Sequence, residues 1–269
     1  MASFHSRSNS FPSQSHPAIN DVEDHLERLK ASQATSTSSI CANLASLGDL
    51  HDSINNMIQM SSIQQSLSHE QEQVWINELL EGSLKLVDLC GISRDIVQLT
   101  KESVQDLESS LRRNKVETVA TSADINAYVA SRKKINKMVS KCIKNFKSSS
   151  NQNSTTLPSI GVMLKEAESL DFSILKSVLA LLSGENNKKS WSLLSKFTQD
   201  SKCVHSQESC AEDLSSLNIQ KSQKNIDGKN MLKQLKTSEM TIQEVEEGLD
   251  ALFKSLVKTR VSLLNVLSH

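Results

Sequence analysis

Proline is almost missing from this chain. Three stand in 269 residues, at Pro12, Pro17 and Pro158, and only 7 glycines join them. Two long stretches therefore hold no obligatory helix breaker. Aromatic residues are just as scarce, at 3%. A core without them is built from Leu, Ile, Val and Met, which suits helix on helix better than a sandwich of aromatic-rich strands. An excess of charge of one sign is lacking too: 30 Lys and Arg against 31 Asp and Glu leave a formal net charge of −1. Coating nucleic acid needs a global basic excess, so no nucleic-acid partner is expected.

The five cysteines, Cys41, Cys90, Cys142, Cys203 and Cys210, are odd in number and widely spread, with no C-x-x-C pair. They argue against a disulfide framework and for a reducing, cytoplasmic setting. No apolar run approaches the roughly 18 residues of a membrane span, and the most apolar stretch, Ile174 to Leu182, is interrupted by Lys176 and Ser177. The start of the chain lacks the apolar segment of a secretory signal. Its serine-rich, acid-poor character is closer to a disordered tail than to a transit peptide.

What is present is helical spacing. Residues 1–17 carry two prolines and no period, and read as a disordered tail; residues 18–269 read as one helical domain. Ile19, Val22, Leu26 and Leu29 share a face. Leu44 to Leu67 recur at threes and fours and predict one helix from about Ser38 to Ser66, with Gly48 tolerated inside it. From His69 to about Asn114 a stripe including Leu79, Leu84, Val87, Ile92, Ile96, Val104 and Leu111 predicts a long helix, continuous through Gly91. Ile125 to Phe146 define another, ended by a polar loop near 148–158. Val162 to Leu182 make the most apolar helix, and Trp191, Leu194 and Phe197 a shorter one. A second loop is expected near 201–230, and Ile242 to Leu267 close the chain. The expected fold is all-α, an elongated bundle of long antiparallel helices.

Reactive motifs are absent or incomplete. Gly184 to Ser190 ends like a phosphate-binding loop, but Lys188 replaces the glycine required before the lysine, and an apolar helix precedes it. Cys203, His205 and Cys210 match no zinc module and lack a fourth ligand. Neither a G-x-S-x-G elbow nor an H-E-x-x-H helix occurs. No catalytic residue, metal or cofactor is expected, and an enzyme would need polar groups converging in a pocket.

Two surface features stand out. Arg132, Lys133, Lys134, Lys137, Lys141, Lys144 and Lys147 fall within one helix without an acid, opposite Ile135, Met138, Val139, Cys142, Ile143 and Phe146. Such a cationic amphipathic helix suits an anionic membrane or a calmodulin-like groove; alternatively it is a bundle helix whose basic face is solvated or paired with Glu244, Glu246 and Glu247. In the tail, Arg7, Ser8, Ser10 and Pro12 fit R-S-x-S-x-P, a phosphopeptide pattern for 14-3-3 proteins. Arg7 suits a basophilic kinase, phosphorylated Ser10 meets an arginine cluster, and Pro12 turns the chain away.

Three stretches together resemble the plant-specific BYPASS-like helical proteins. RSNSFPSQSHP (Arg7 to Pro17) is similar to that family's opening motif, although Gln14 replaces an expected basic residue. ELLEGSLKLVDLCGISRDIVQLTKESVQDLESSLRR (Glu78 to Arg113) resembles its central signature, and LFKSLVKTRVSLLNVLSH (Leu252 to His269) its end. SRKKINKMVSKCIK (Ser131 to Lys144) and the segment from Trp191 to Lys196 are similar as well. The resemblance implies a helical plant protein associated with root and shoot development, with no established enzymatic residues. Within the signature, Gly91 is expected to permit close helix packing and Cys90 to lie in the core. Taken together, a non-enzymatic adaptor acting through protein–protein interaction is expected. A peripheral regulator on anionic lipid is the alternative.

Overall fold

The computed structural model describes residues 16–35, 39–69, 74–113, 122–146, 157–183 and 228–268. Among them the elements are seven helices and no strand: α1 (Pro17–Thr35), α2 (Ile40–Ile58), α3 (Ser61–His69), α4 (Val74–Arg113), α5 (Ser122–Asn145), α6 (Ser159–Ser183) and α7 (Gly228–Leu267). The all-α elongated bundle expected from spacing is what forms. At about 1.5 Å per residue, the 40-residue helices α4 and α7 each reach some 60 Å.

These two helices make the axis. They run antiparallel, with Arg94 paired to Asp250, Lys101 Nζ 2.5 Å from Glu246 Oε2, and Gln105 donating to Glu239 at 2.7 Å. Arg260 closes the other end by donating to the Leu80 carbonyl and, at 2.7 Å, to Ser83 Oγ. α2 packs along α7, and α6 along α4, where Lys165 meets Glu78 at 2.7 Å. α1 folds back on α2 and reaches α6 through Lys30 and Glu166, 2.8 Å apart. α5 lies across α4 and α6. One continuous apolar core results, dominated by leucine, isoleucine and valine.

Several boundaries depart from expectation. The single helix expected from Ser38 to Ser66 is two. Ser39 caps α2, its side chain accepting from Cys41 N at 3.1 Å, and the chain turns at Gln59 and Met60. The bend brings α3 onto α7, where Ser68 Oγ donates to the Val266 carbonyl at 3.2 Å and Ile63 and Leu67 are buried. α4 does run unbroken through Gly91. α1 starts at Pro17, inside the span read as tail, because His16 Nδ1 accepts from Ala18 N and proline suits a first helical position. α7 begins at Gly228, inside the span read as loop, and gains enough length to bury Met231 and Leu235. The helix expected around Trp191 lies outside the described residues.

Candidate functional site

Where α2, α4, α6 and α7 meet, a polar cluster interrupts the apolar core. His51 of α2 is 4% exposed and sits in phase with Leu47, Ile54 and Ile58, on the face that packs inward. Its Nε2 lies 3.0 and 3.1 Å from the two oxygens of Asp171 on α6, which is 1% exposed. Its Nδ1 lies 3.1 Å from Thr259 Oγ1 on α7. Asn55, one turn on, donates to Thr259 Oγ1 at 3.1 Å and to the His51 carbonyl at 2.8 Å, while Ser262 donates to Asn55 Oδ1 at 3.1 Å. Every buried polar group in the cluster has a partner, which offsets the cost of taking it from water.

Beside the cluster opens a small cavity of about 30 Å³. Ile54, Leu79, Leu86, Leu164, Ala167, Leu256 and Leu263 make its apolar wall; His51, Ser83, Glu168, Asp171 and Thr259 are the polar members. Burial pushes the Glu168 carboxyl up to about 7, with Asp171 and Glu78 adding to the rise while Lys165 and Lys85 oppose it. Gly82 of α4 explains how the carboxyl fits, because a Cβ at that position would overlap it. A mid-helix glycine costs about 1 kcal/mol relative to alanine, and here it leaves a notch for Glu168.

Thr259, His51 and Asp171 stand in the order hydroxyl, imidazole, carboxylate. The Thr259 hydroxyl donates to the Ser255 carbonyl at 3.0 Å and is 6% exposed, so the trio ties three helices together and offers no free nucleophile. Ser83 Oγ donates to the Leu80 carbonyl at 2.8 Å. Burial raises the Cys90 thiol to about 12, and it lies in the core 3.6 Å from the Leu249 carbonyl, as its place in the signature implied. Among the described residues no group of His, Cys, Asp and Glu could hold a metal ion.

The basic helix is α5. Ile135, Val139 and Cys142 are buried, so its apolar side is committed to the core and is not available for insertion into lipid or a groove. Lys133, Lys134, Lys137, Lys141 and Lys144 are exposed. None of the five has an ion-pair partner among the described residues. Of the acids considered as partners, Glu246 pairs with Lys101 and Glu247 accepts from Gln243.

Arg132 is a correction. Expected on the basic surface, it is 4% exposed and donates to the Leu182 carbonyl at the C-terminus of α6. Asn136, with its amide turned to suit its neighbours, donates to the Ser183 carbonyl at 3.0 Å. A helix end leaves its last carbonyls without intrahelical partners, and cationic donors are favoured there, so the guanidinium is drawn inward. Lys147, the tail residues Arg7, Ser8, Ser10 and Pro12, and the loop residues Cys203, His205 and Cys210 lie outside the described residues.

His51, Asp171, Glu168 and Gly82 were not singled out by motif. Their one signal was phase: His51 and Asp171 are polar residues at positions where the stripes of α2 and α6 demand apolar ones.

Residues 43–266 match the family model described as Protein BPS1. No curated protein and no solved structure matches the chain.

Proposed function

Since the chain belongs to the Protein BPS1 family, a plant development-related group, we propose that it is a non-enzymatic cytoplasmic adaptor whose α5 lysine face docks acidic partner proteins. The carrying observation is the set of five exposed lysines with no acid on their own helix face and no ion-pair partner among the described residues. An exposed stripe on α7, Val257, Val261 and Leu264 at helical spacing, supports protein contact as well. The Ser10 motif is a second recruitment element, read by 14-3-3 proteins after phosphorylation. Full 14-3-3 capture by a Ser10→Ala chain from kinase-treated extract would remove it.

Proximity labelling in root tissue tests the adaptor reading. Trafficking, signalling or membrane-associated proteins are expected near the chain; recovery of metabolic enzymes alone would overturn it. A second reading, adsorption on anionic membrane, is favoured by the same lysines, each contributing about 1 kcal/mol near such a surface. No helix among the described residues is long and apolar enough to cross a membrane, and the buried apolar side of α5 restricts any contact to headgroups. Vesicle flotation separates the readings. Salt-sensitive binding to anionic but not neutral vesicles supports the membrane, and no binding to either removes it.

A further inference from the structure

We infer that the outer face of the α4 and α7 pair binds a second copy of this chain, with α4 of each copy lying on α7 of the other. This goes beyond the docking read for α5 and uses none of its lysines. The face is apolar where it meets solvent: Leu84 is 45% exposed, Val261 48%, Leu264 39% and Val257 36%. Leu84 stands about two and a half turns from buried Ser93, and Val261 as far from buried Leu252, so both point away from the core. Antiparallel pairing brings the two contributions to one height along the bundle. Arg260 reaches Ser83, beside Leu84, and the Phe253 ring lies 3.8 Å from where a Cβ on Gly91 would be. With half-buried Val87 and Phe253, these side chains make an apolar strip along the seam of the two helices.

The occupant follows from the charges on the strip's two edges. Asp88 borders it on the α4 side and Lys254 on the α7 side; both are exposed, and neither has an ion pair among the described residues. The charges around them are engaged: Glu81 with Lys85 at 2.7 Å, Arg94 with Asp250, and Lys258 with Asp52 at 3.6 Å. One edge therefore carries an unspent anion and the other an unspent cation, at nearly the same height. Such a surface complements itself. A two-fold axis parallel to the helices lays α4 over α7 of the second copy and sets Asp88 of each chain against Lys254 of the other. A two-fold axis across the helices lays α4 over α4 and brings like charges together, which disfavours it. The apolar strip supplies the affinity and the charged edges the orientation. Phe253 to Leu264 covers about 17 Å of α7. A face of that length and two helices wide is small for an obligate interface, so the dimer is weak and reversible.

Sedimentation velocity of the full chain, from micromolar to near-millimolar concentration, tests this. Reversible association of monomer to dimer is expected. Leu84→Ser combined with Val261→Asn, both at exposed positions, abolishes it while leaving the melting temperature unchanged. The charges test the arrangement. Asp88→Lys alone and Lys254→Asp alone each set like charges face to face and are expected to weaken the dimer about tenfold. Both changes in one chain restore it. An equimolar mixture of the two single variants associates more tightly than either by itself, because both unlike pairs form again between the two chains. A chain that stays monomeric throughout, a dimer indifferent to Leu84→Ser with Val261→Asn, or a double charge variant no tighter than the single ones would overturn the assignment. None of these outcomes depends on the lysines of α5.

Discussion

At the scale of single residues, burial converts ordinary side chains into ones with measurable consequences. Glu168 holds its proton more tightly in the folded chain, at about 7 against an ordinary 4.5, so the folded state carries the extra proton between those values. Stability therefore falls as pH rises through that window. Glu168→Gln copies the protonated form; its melting temperature is expected to change less between pH 5 and pH 8 than that of the natural chain, and equal slopes would contradict the burial of this carboxyl. Arg132 and Lys133 are neighbours in sequence with opposite fates. Arg132→Ala leaves the Leu182 carbonyl at the end of α6 without its donor and is expected to cost about 1–3 kcal/mol in urea unfolding. Lys133→Ala, on the exposed side, should stay within about 0.5 kcal/mol.

At the scale of helices, glycines report where two elements nearly touch. Gly91, expected to permit close packing, has only the edge of Phe253 near it, 3.8 Å from where a Cβ would lie. The close approach is at Gly248 instead, where a Cβ would lie 3.1 and 3.2 Å from atoms of Leu44 as α7 crosses α2. Gly91→Ala is expected to gain about 1 kcal/mol from helix propensity. Gly248→Val should lose about 1–3 kcal/mol through overpacking, both read from denaturant midpoints. Spacing made most of these helices legible, because a period of three and four needs no knowledge of the partner. It did not reveal the turn at Gln59, which depends on α3 reaching α7, nor how wide each covered face is. Leu84, Val257, Val261 and Leu264 fit their stripes and are exposed nonetheless. The polar cluster was less legible still: His51, Asp171 and Thr259 come from three helices far apart in sequence, and only folding brings them together.

At the scale of the whole molecule, the bundle separates two kinds of surface. The apolar sides of its helices are largely spent on one another, including that of α5, while the five lysines of α5 remain outward, with no acid paired to them among the described residues. The docking proposed for this face is electrostatic and is expected to weaken with salt. The most direct measurement is paired affinity capture from root extract, quantified by mass spectrometry. It compares the natural chain with one carrying Lys133→Glu, Lys137→Glu, Lys141→Glu and Lys144→Glu, after melting curves show that both are folded. A defined set of partners is expected to bind the natural chain, to elute with moderate salt, and to be lost from the reversed chain. The same partners captured equally by both chains would contradict a docking role for α5.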